Sequence, residues 1–192
     1  MDESHSLETR LRQLEDRVEI GELIARYGLV MDDRDVEAIG DLFTPDVHVW
    51  SADGVIDSHG REAAIAMFRG RFTVLGPSNH FTHDRIVEFD AADPDRATGL
   101  VLSHAEMQRK GQPMLAAIRY QDVYVRWQGR WRFRERGLSF MYYVPTAEYL
   151  DAFGPGLDRR MRAYDQPVPA DWPERLPTWR RYYHGDKNET ET

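Results

Sequence analysis

The amino-acid sequence predicts an α+β protein in which three N-terminal helices cover one face of a curved antiparallel sheet. Two features predict this class. Helical spacing of apolar residues dominates the first 72 residues, and four strand-like runs joined by short turns follow, up to residue 143. The length of 192 residues suits one domain with a tail. The composition, 41% hydrophobic and 30% charged, is typical of a folded protein.

One amphipathic helix is predicted over residues 7–31, where apolar residues recur mostly three or four positions apart and form one apolar stripe to be buried. A second, short helix follows Asp35, whose side chain can cap its N-terminus. It ends before Pro45, because the residue before a proline disfavours the helical conformation. A third helix is predicted over 61–72. The apolar positions of the first helix are Leu7, Leu11, Leu14, Val18, Leu23, Ile24, Tyr27 and Met31.

The strands are predicted from alternation and from the turns between them. A short hairpin, with strands at 47–51 and 55–57, precedes the third helix. Four longer strands follow that helix. Because consecutive strands joined by short turns pair in opposite directions, an antiparallel sheet is expected. The predicted ranges of the long strands are 79–89, 97–109, 114–127 and 131–143.

The composition changes after the domain, which is predicted to extend over 7–148. Residues 149–184 combine prolines, which interrupt regular structure, with tyrosines and tryptophans, which need burial. We expect an irregular extension that wraps over the domain or over a second subunit of a homodimer or homotrimer. Residues 185–192 are predicted to be disordered.

Composition and charge exclude several classes of function. Cysteine is absent, which excludes thiol nucleophiles, disulfides and thiolate metal sites. The formal net charge of −8 disfavours nucleic acid as a partner. No apolar run approaches the roughly 20 residues of a membrane span, and the acidic N-terminus does not resemble a secretory signal, so we expect a cytoplasmic protein with no membrane partner. Motifs for serine nucleophiles and phosphate loops are missing, which leaves acid–base chemistry by His, Asp and Tyr.

A few titratable residues can point into the space between helices and sheet. His80 and His83 stand three positions apart on one strand, so they point to opposite faces and do not form a metal site together. His104 and Tyr120 lie on the next two strands. Asp32 ends the first helix, where a carboxylate opposes the helix dipole. Each of these residues can equally be a half-buried polar side chain with an ordinary structural partner.

A series of short motifs follows a fixed order along the domain. They are Leu14-Glu15-Asp16-Arg17-Val18-Glu19-Ile20, Ala25-Arg26-Tyr27, Asp32-Asp33-Arg34-Asp35, Leu42-Phe43-Thr44-Pro45-Asp46, Asn79-His80-Phe81 and the hairpin from Tyr120 to Arg134. With these motifs the chain resembles the SnoaL-like branch of the nuclear-transport-factor-2-like superfamily over about residues 10–148. The resemblance implies a cystatin-like α+β roll, in which a cone-shaped sheet and the three helices enclose a pocket.

Within that superfamily the pattern is closest to scytalone dehydratases, hexachlorocyclohexane dehydrochlorinases and bile-acid 7α-dehydratases. These enzymes resemble one another in a His–Asp dyad, and the resemblance places the Asp at Asp32 and the His at His80. It also assigns catalytic roles to Tyr27 and to His104, the latter as a second histidine. It implies no metal and no organic cofactor. The residues expected to bind substrate are Tyr120, Trp50, Met31 and Phe68.

The expected activity is that of a cofactor-independent, dehydratase-type lyase on a small, hydrophobic, hydroxylated cyclic substrate. His80, oriented by Asp32, would remove a proton, Tyr27 and Tyr120 would hydrogen-bond the developing oxyanion, and His104 would protonate the departing hydroxyl. Two alternatives stay open: an isomerase or cyclase of a polyketide- or steroid-like ketone, and a non-catalytic binding or dimerisation module. A contact between Asp32 and His80 in an open pocket favours the enzyme, whereas an outward-facing His80 favours the module.

Overall fold

A computed structural model describes residues 6–154 and 158–185 of the chain. The helices are α1 (Leu7–Asp33), α2 (Val36–Leu42), α3 (Arg61–Phe72) and α4 (Pro177–His184). The strands are β1 (Phe43–Ser51), β2 (Asp57–His59), β3 (Leu75–Phe89), β4 (Arg96–Arg109), β5 (Gln112–Trp127) and β6 (Arg130–Pro145). The α+β class is confirmed. Asp35 caps α2 as predicted, since its side chain accepts from the backbone N–H of Ala38 at 3.1 Å.

Helix α1 begins at a side-chain cap and ends in a left-handed turn. The hydroxyl of Ser6 accepts a hydrogen bond from the backbone N–H of Thr9 at 3.2 Å. At the other end Arg34 adopts φ 58°, and its N–H donates to the carbonyl of Val30. This left-handed cap ends the helix at Asp33. Asp32 therefore lies in the last turn of α1.

The predicted apolar stripe of α1 is not one continuous face. The apolar residues that face the sheet are buried; they are Ile20, Leu23, Ile24, Tyr27 and Met31. The four apolar residues before Ile20 are between 54 and 79% exposed; they are Leu7, Leu11, Leu14 and Val18. Val18 precedes Ile20 by two residues, which is about 200° around a helix, so the two groups lie on opposite sides. The prediction of one buried stripe was wrong for this reason.

Six strands form a mixed sheet in the order β2-β1-β6-β5-β4-β3. The four long strands pair as the predicted antiparallel meander. The expectation of a wholly antiparallel sheet was wrong at one position, because β1 runs parallel to β6 and pairs Trp50 with Gly137. Helix α3 and the first three strands of the meander separate β1 from β6 along the chain. Turn patterns detect pairing only between consecutive strands, and they miss this pair.

Strand β3 begins at Leu75, four residues earlier than predicted. The pairing with β4 is irregular between Leu75 and Ser78, which is where Gly76 and Pro77 lie. β3 is an edge strand, where the missing N–H of a proline is tolerated. The added length brings Ser78 into the same strand as His80.

The residues after the domain contain more regular structure than the predicted irregular extension. They form two 3-10 turns, Thr146–Glu148 and Asp151–Phe153, and then α4. Helix α4 starts with Pro177, which a first helical turn accommodates because its N–H is not needed there. Met161 forms an isolated bridge with Tyr143 of β6, so this segment packs against the sheet. A disordered tail is predicted over 185–192. Of this range the structure describes only Gly185, and the other residues lie outside the described part of the chain.

The main hydrophobic core lies between the first three helices and one face of the sheet. Its centre is aromatic: the ring of Tyr27 makes edge contacts with Phe43, Phe68 and Phe133 at centroid distances of 5.9 to 6.5 Å. Among residues 6–154 and 158–185, none of the helices combines the length and the apolarity needed to cross a bilayer. The candidate site borders this core.

Candidate active site

An imidazole and a carboxylate from distant parts of the chain meet at the end of α1. Nδ1 of His80 lies 2.6 Å from Oδ1 of Asp32, and the backbone N–H of His80 donates to Oδ2 at 2.7 Å. An ionised carboxylate only accepts hydrogen bonds, so the ring donates from Nδ1. In the neutral form of the ring, Nε2 is then the nitrogen without a proton. His80 also lines a cavity.

Two neighbouring side chains hold the carboxylate in position. The hydroxyl of Ser78 donates to Oδ1 of Asp32 at 2.7 Å. The guanidinium of Arg34 donates to Ser78 Oγ at 2.9 Å and also to the backbone carbonyls of Met31 and Gly76. Arg34 thus ties the end of α1 to the start of β3. The position of Asp32 is fixed by both elements.

The environment of the dyad keeps Asp32 ionised. Burial by itself would raise the pKa of Asp32, but hydrogen bonds from His80 and Ser78, together with attraction to His80, outweigh it and lower the pKa. The side chains of Asp32 and His80 are 14% and 18% exposed. At neutral pH Asp32 therefore accepts from Nδ1 of His80 and stabilises the tautomer whose Nε2 is basic.

The cavity lies between the helices and the sheet and has a volume of about 70 Å³. Four predicted site residues line it together with His80: Tyr27, Met31, Phe68 and Tyr120. Most other lining side chains are apolar, and they include Val49, Ile56, Phe72, Ile118, Leu138 and Phe140. Pockets that hold drug-sized ligands measure roughly 300–1,000 Å³. A ring-shaped ligand therefore requires movement of some lining side chains.

A buried arginine that the sequence reasoning missed lies behind the two tyrosines. The guanidinium carbon of Arg136 is 3.9 Å from the ring centroid of Tyr27 and 3.8 Å from that of Tyr120. Its charge is paired with Asp122, at 3.3 Å between Nη1 and Oδ2, and both side chains are fully buried. Burial raises the pKa of both tyrosines, although Arg136 acts in the opposite direction. Both hydroxyls are therefore protonated at neutral pH and can donate to a ligand.

A bulge in β6 explains why strand alternation does not reveal Arg136. Trp131 and Phe133 are buried, so strict alternation would turn Glu135 inward. The register with β5 shifts between residues 133 and 135. The shift reverses the alternation, and Arg136 faces the core. Because this bulge depends on the pairing with β5, the sequence of β6 alone does not predict it.

His104 does not reach the cavity, contrary to its predicted role as a proton donor. In the β3–β4 pairing His80 stands opposite Ala105, which is buried, so His104 points to the outer face of the sheet. There it is exposed, and its Nδ1 lies 2.8 Å from Nε2 of His83. Burial, and then the nearby His83, lowers the pKa of His104. His83 and His80 lie on opposite faces, as their spacing predicts.

Trp50 also lies outside the cavity, and its predicted contact with substrate is corrected. Val49 lines the cavity, so the next residue along β1 points outward. The indole ring of Trp50 covers Gly137, where an added Cβ would come within 2.2 Å of a ring atom. Trp50 packs on the outer face of the sheet.

Two cationic side chains on the cavity wall were not predicted, Arg34 and Arg71. Arg34 is engaged by the end of α1 and by β3. Arg71 is half-buried and adds a positive charge to the cavity wall. Within residues 6–154 and 158–185, no group of three potential metal ligands meets at this cavity.

Comparison with known protein families identifies the family of the domain. The profile of the SnoaL-like domain matches residues 12–137, roughly two thirds of the chain, and this range contains both Asp32 and His80. The chain belongs to the SnoaL-like domain family. The matched range ends within β6, so the family profile does not cover the segment after the domain.

Individual relatives extend this result. The gamma-hexachlorocyclohexane dehydrochlorinase of Sphingobium indicum is 26% identical over 141 residues, which are 71% of this chain and 88% of the relative. A candidate scytalone dehydratase of Novosphingobium aromaticivorans superposes with a TM-score of 0.63 at 20% identity, over 70% of this chain and 89% of that one. An NTF2-like protein with a cystatin-like fold from the same organism gives a TM-score of 0.57 at 30% identity, over 73% and 92%. The expected superfamily and roll fold are confirmed.

Proposed function

We propose that this SnoaL-like protein is a cofactor-independent lyase that eliminates a leaving group from a small, hydrophobic substrate, with His80 as the general base. The contact of Asp32 with His80 at the cavity wall carries the proposal. A module that only binds does not need an imidazole with one nitrogen fixed by a carboxylate and the other facing a cavity. The dehydrochlorinase among its relatives supports the same class of reaction.

The elimination uses the dyad as a single proton acceptor. Nε2 of His80 takes a proton from a substrate carbon, and the electron pair of that C–H bond forms the new carbon–carbon double bond. The bond from the adjacent carbon to the leaving group breaks. The group departs as a halide, or as water when the leaving hydroxyl takes back the proton that His80 removed from carbon. Asp32 stabilises the imidazolium that forms on His80.

The other polar groups of the cavity stabilise charge that develops during this step. The hydroxyls of Tyr27 and Tyr120 donate to an enolate oxygen, and Arg136 polarises both rings from behind. Arg71 lies on the wall where a departing anion can meet a positive charge. A positioned base contributes about 10²–10⁴-fold and one oxyanion donor about 10²–10³-fold. These factors suit a substrate whose proton is already activated by a carbonyl or a halogen.

The pair of tyrosines also favours a second reaction in the same cavity, the isomerisation or cyclisation of a ketone. Here His80 would remove the proton next to the carbonyl, Tyr27 and Tyr120 would bind the enolate, and the proton would return to another carbon. The two reactions differ in their products. Elimination releases water or halide, whereas isomerisation conserves the mass of the substrate.

The test is turnover of a small panel by the full chain. The panel contains gamma-hexachlorocyclohexane, followed by chloride release, and scytalone and hydroxylated cyclic ketones, followed by mass spectrometry. We expect elimination from at least one member, and a loss of at least about 10²-fold in His80→Ala. His83→Ala, on the same strand but on the outer face, is the matched control and should keep its activity.

The outcomes separate the candidate functions. A His80→Ala variant that retains its fold and its rate removes His80 from the mechanism. A product of unchanged mass, formed only when His80 is present, establishes the isomerase instead. Binding of panel members without any chemical change, and equally by His80→Ala, supports the non-catalytic module.

A further inference from the structure

A second group of titratable side chains lies on the hairpin of β1 and β2, away from the cavity. The antiparallel register places His48 directly opposite His59, and Trp50 opposite Asp57. Asp57 and His59 are two positions apart on β2, so they share one face of the strand. Directly opposed residues on neighbouring strands have Cβ atoms about 4.5–5.5 Å apart. The hairpin therefore gathers these three side chains on one face.

The three side chains converge on a single point. Nε2 of His48 lies 2.8 Å from Oδ1 of Asp57, and Nε2 of His59 lies 3.1 Å from the same oxygen. The two imidazole rings stack with centroids 4.1 Å apart and planes 11° apart. One potential ligand atom from each residue lies within 4.8 Å of the other two. Two imidazole nitrogens and one carboxylate oxygen, all potential metal ligands, therefore lie close together.

These distances are close to those that a tetrahedral ion requires. Zinc binds imidazole nitrogen at about 2.0–2.1 Å and carboxylate oxygen at about 2.0–2.2 Å. In a tetrahedron, such bonds place neighbouring ligand atoms about 3.3–3.5 Å apart. The separations of 2.8 and 3.1 Å need to open by only a few tenths of an ångström, and the two exposed rings, which are now stacked at 11°, need to rotate so that both Nε2 atoms point at the ion. An imidazole that binds the ion through Nε2 carries its ring proton on Nδ1.

The donor set selects a particular class of ion. Two imidazoles and one carboxylate suit zinc and the neighbouring first-row divalent ions, whereas magnesium and calcium prefer oxygen ligands. The side chains of His48, Asp57 and His59 are 28%, 63% and 70% exposed, which leaves room for water in the remaining position.

We propose that His48, Asp57 and His59 bind one divalent ion of the zinc class, with water as the fourth ligand. The site joins β2, an edge strand of three residues, to β1. Val49 and Ile56 each adjoin one of the ligands in sequence, and both line the cavity. The ion thus stabilises one wall of the cavity from outside. The proposal does not depend on the proposed lyase activity, since it uses none of the dyad residues.

The experiment is a zinc titration of the full chain, produced without a histidine tag and stripped of metal. Calorimetry should show one zinc ion per chain and no comparable binding of magnesium. His59→Ala and Asp57→Asn should each weaken zinc binding at least about tenfold, because even the loss of an outer-shell partner costs about 10–100-fold. Both positions are exposed, and circular dichroism checks that the variants fold.

A matched control and two further readouts make the result decisive. The control is His83→Ala, which removes one member of the other exposed imidazole pair and should bind zinc like the wild type. Cobalt should give the visible absorption of a tetrahedral ion in the wild type and lose it in Asp57→Asn. Zinc should raise the midpoint of thermal unfolding of the wild type but not of His59→Ala.

Three results would overturn the proposal. The first is the absence of saturable zinc binding by the wild type. The second is binding that His59→Ala and Asp57→Asn leave unchanged. The third is binding that His83→Ala abolishes, which would place the ion at the pair formed with His104.

Discussion

Replacement of Asp32 by asparagine is the change that tests the dyad most directly. The carboxylate accepts three hydrogen bonds, from the backbone N–H of His80 at 2.7 Å, from Nδ1 of His80 at 2.6 Å and from Ser78 Oγ at 2.7 Å. Asparagine has the same shape but only one oxygen, so its NH₂ group faces at least one donor. That hydrogen bond is lost, and the bonds that remain have a neutral acceptor.

The expected cost follows from these contacts. A hydrogen bond to a charged group contributes about 1.5–3 kcal/mol, and charge-assisted bonds are roughly twice as strong as neutral ones. One lost bond and weaker remaining bonds should lower the free energy of unfolding of Asp32→Asn by about 2–4 kcal/mol at neutral pH. For a chain of this length, the midpoint of thermal unfolding should fall by about 5–15 °C. Ser78→Ala, which keeps the charge, is the matched control and should cost less.

The stability difference between the wild type and Asp32→Asn should depend on pH in a definite direction. The pKa of Asp32 is lower in the folded chain than in the unfolded chain, where a value of about 3.9 applies. Its stabilising contribution is therefore complete above about pH 4 and is lost as the pH falls through the lower, folded value. The wild type and Asp32→Asn should differ most near neutral pH, and the difference should close in acid. Melting curves followed by circular dichroism across this range measure it.

A second readout follows the proton on the imidazole. Where the ring of His80 is neutral, nitrogen NMR should show the wild-type proton on Nδ1 and none on Nε2. When the amide NH₂ of Asn at position 32 faces Nδ1, the ring proton moves to Nε2, the base is lost, and the elimination rate should fall at least about 10²-fold. Equal melting midpoints at neutral pH, together with an unchanged tautomer, would refute the role assigned to Asp32.

Three further predictions concern the residues around the cavity. Arg136→Met leaves the carboxylate of Asp122 buried without its cation. The free energy of unfolding, measured in urea, should fall by about 3–5 kcal/mol. Adding Asp122→Asn should recover part of this loss. Tyr27→Phe should lower the elimination rate by about 10²–10³-fold and change ligand affinity little; equal losses in both would make Tyr27 a binding contact only. Gly137→Ala places a Cβ against the ring of Trp50 and should lower the free energy of unfolding in urea by about 1–3 kcal/mol. The packing assigned to Trp50 would be contradicted if Gly137→Ala had no effect, or if adding Trp50→Ala did not reduce the loss of stability.

Much of the fold could be predicted because local rules determine it. Helix α3 has the predicted bounds, and Asp35 caps α2, since caps and apolar spacing act within a few residues. The long strands follow from the turns between them. Two features could not be predicted in this way: the parallel pairing of β1 with β6, and the exposure of the apolar residues in the first half of α1, such as Leu11. Both depend on which distant segment packs against them, and local sequence patterns do not contain that information.

The candidate site also has features that the sequence predicts and features that depend on tertiary packing. Spacing predicts that His80 and His83 lie on opposite faces, but it does not say which face the helices cover. The close approach of α1 decides it: an added Cβ on Gly28 would lie 3.4 Å from Cβ of His80. The contact between Asp32 and His80 was an inference from family resemblance, and the structure places the two side chains together.

Local patterns along the chain are enough to predict the types and the order of the elements, the lack of cysteine chemistry and the supply of His, Asp and Tyr for proton transfer. The packing of distant segments is what brings Asp32 to His80, turns His104 and Trp50 outward and buries Arg136 beside the cavity. The cause is that side chains alternate between the two faces of a strand. Which of the two faces is covered depends on distant helices, and a single bulge in β6 exchanges the inner and outer positions.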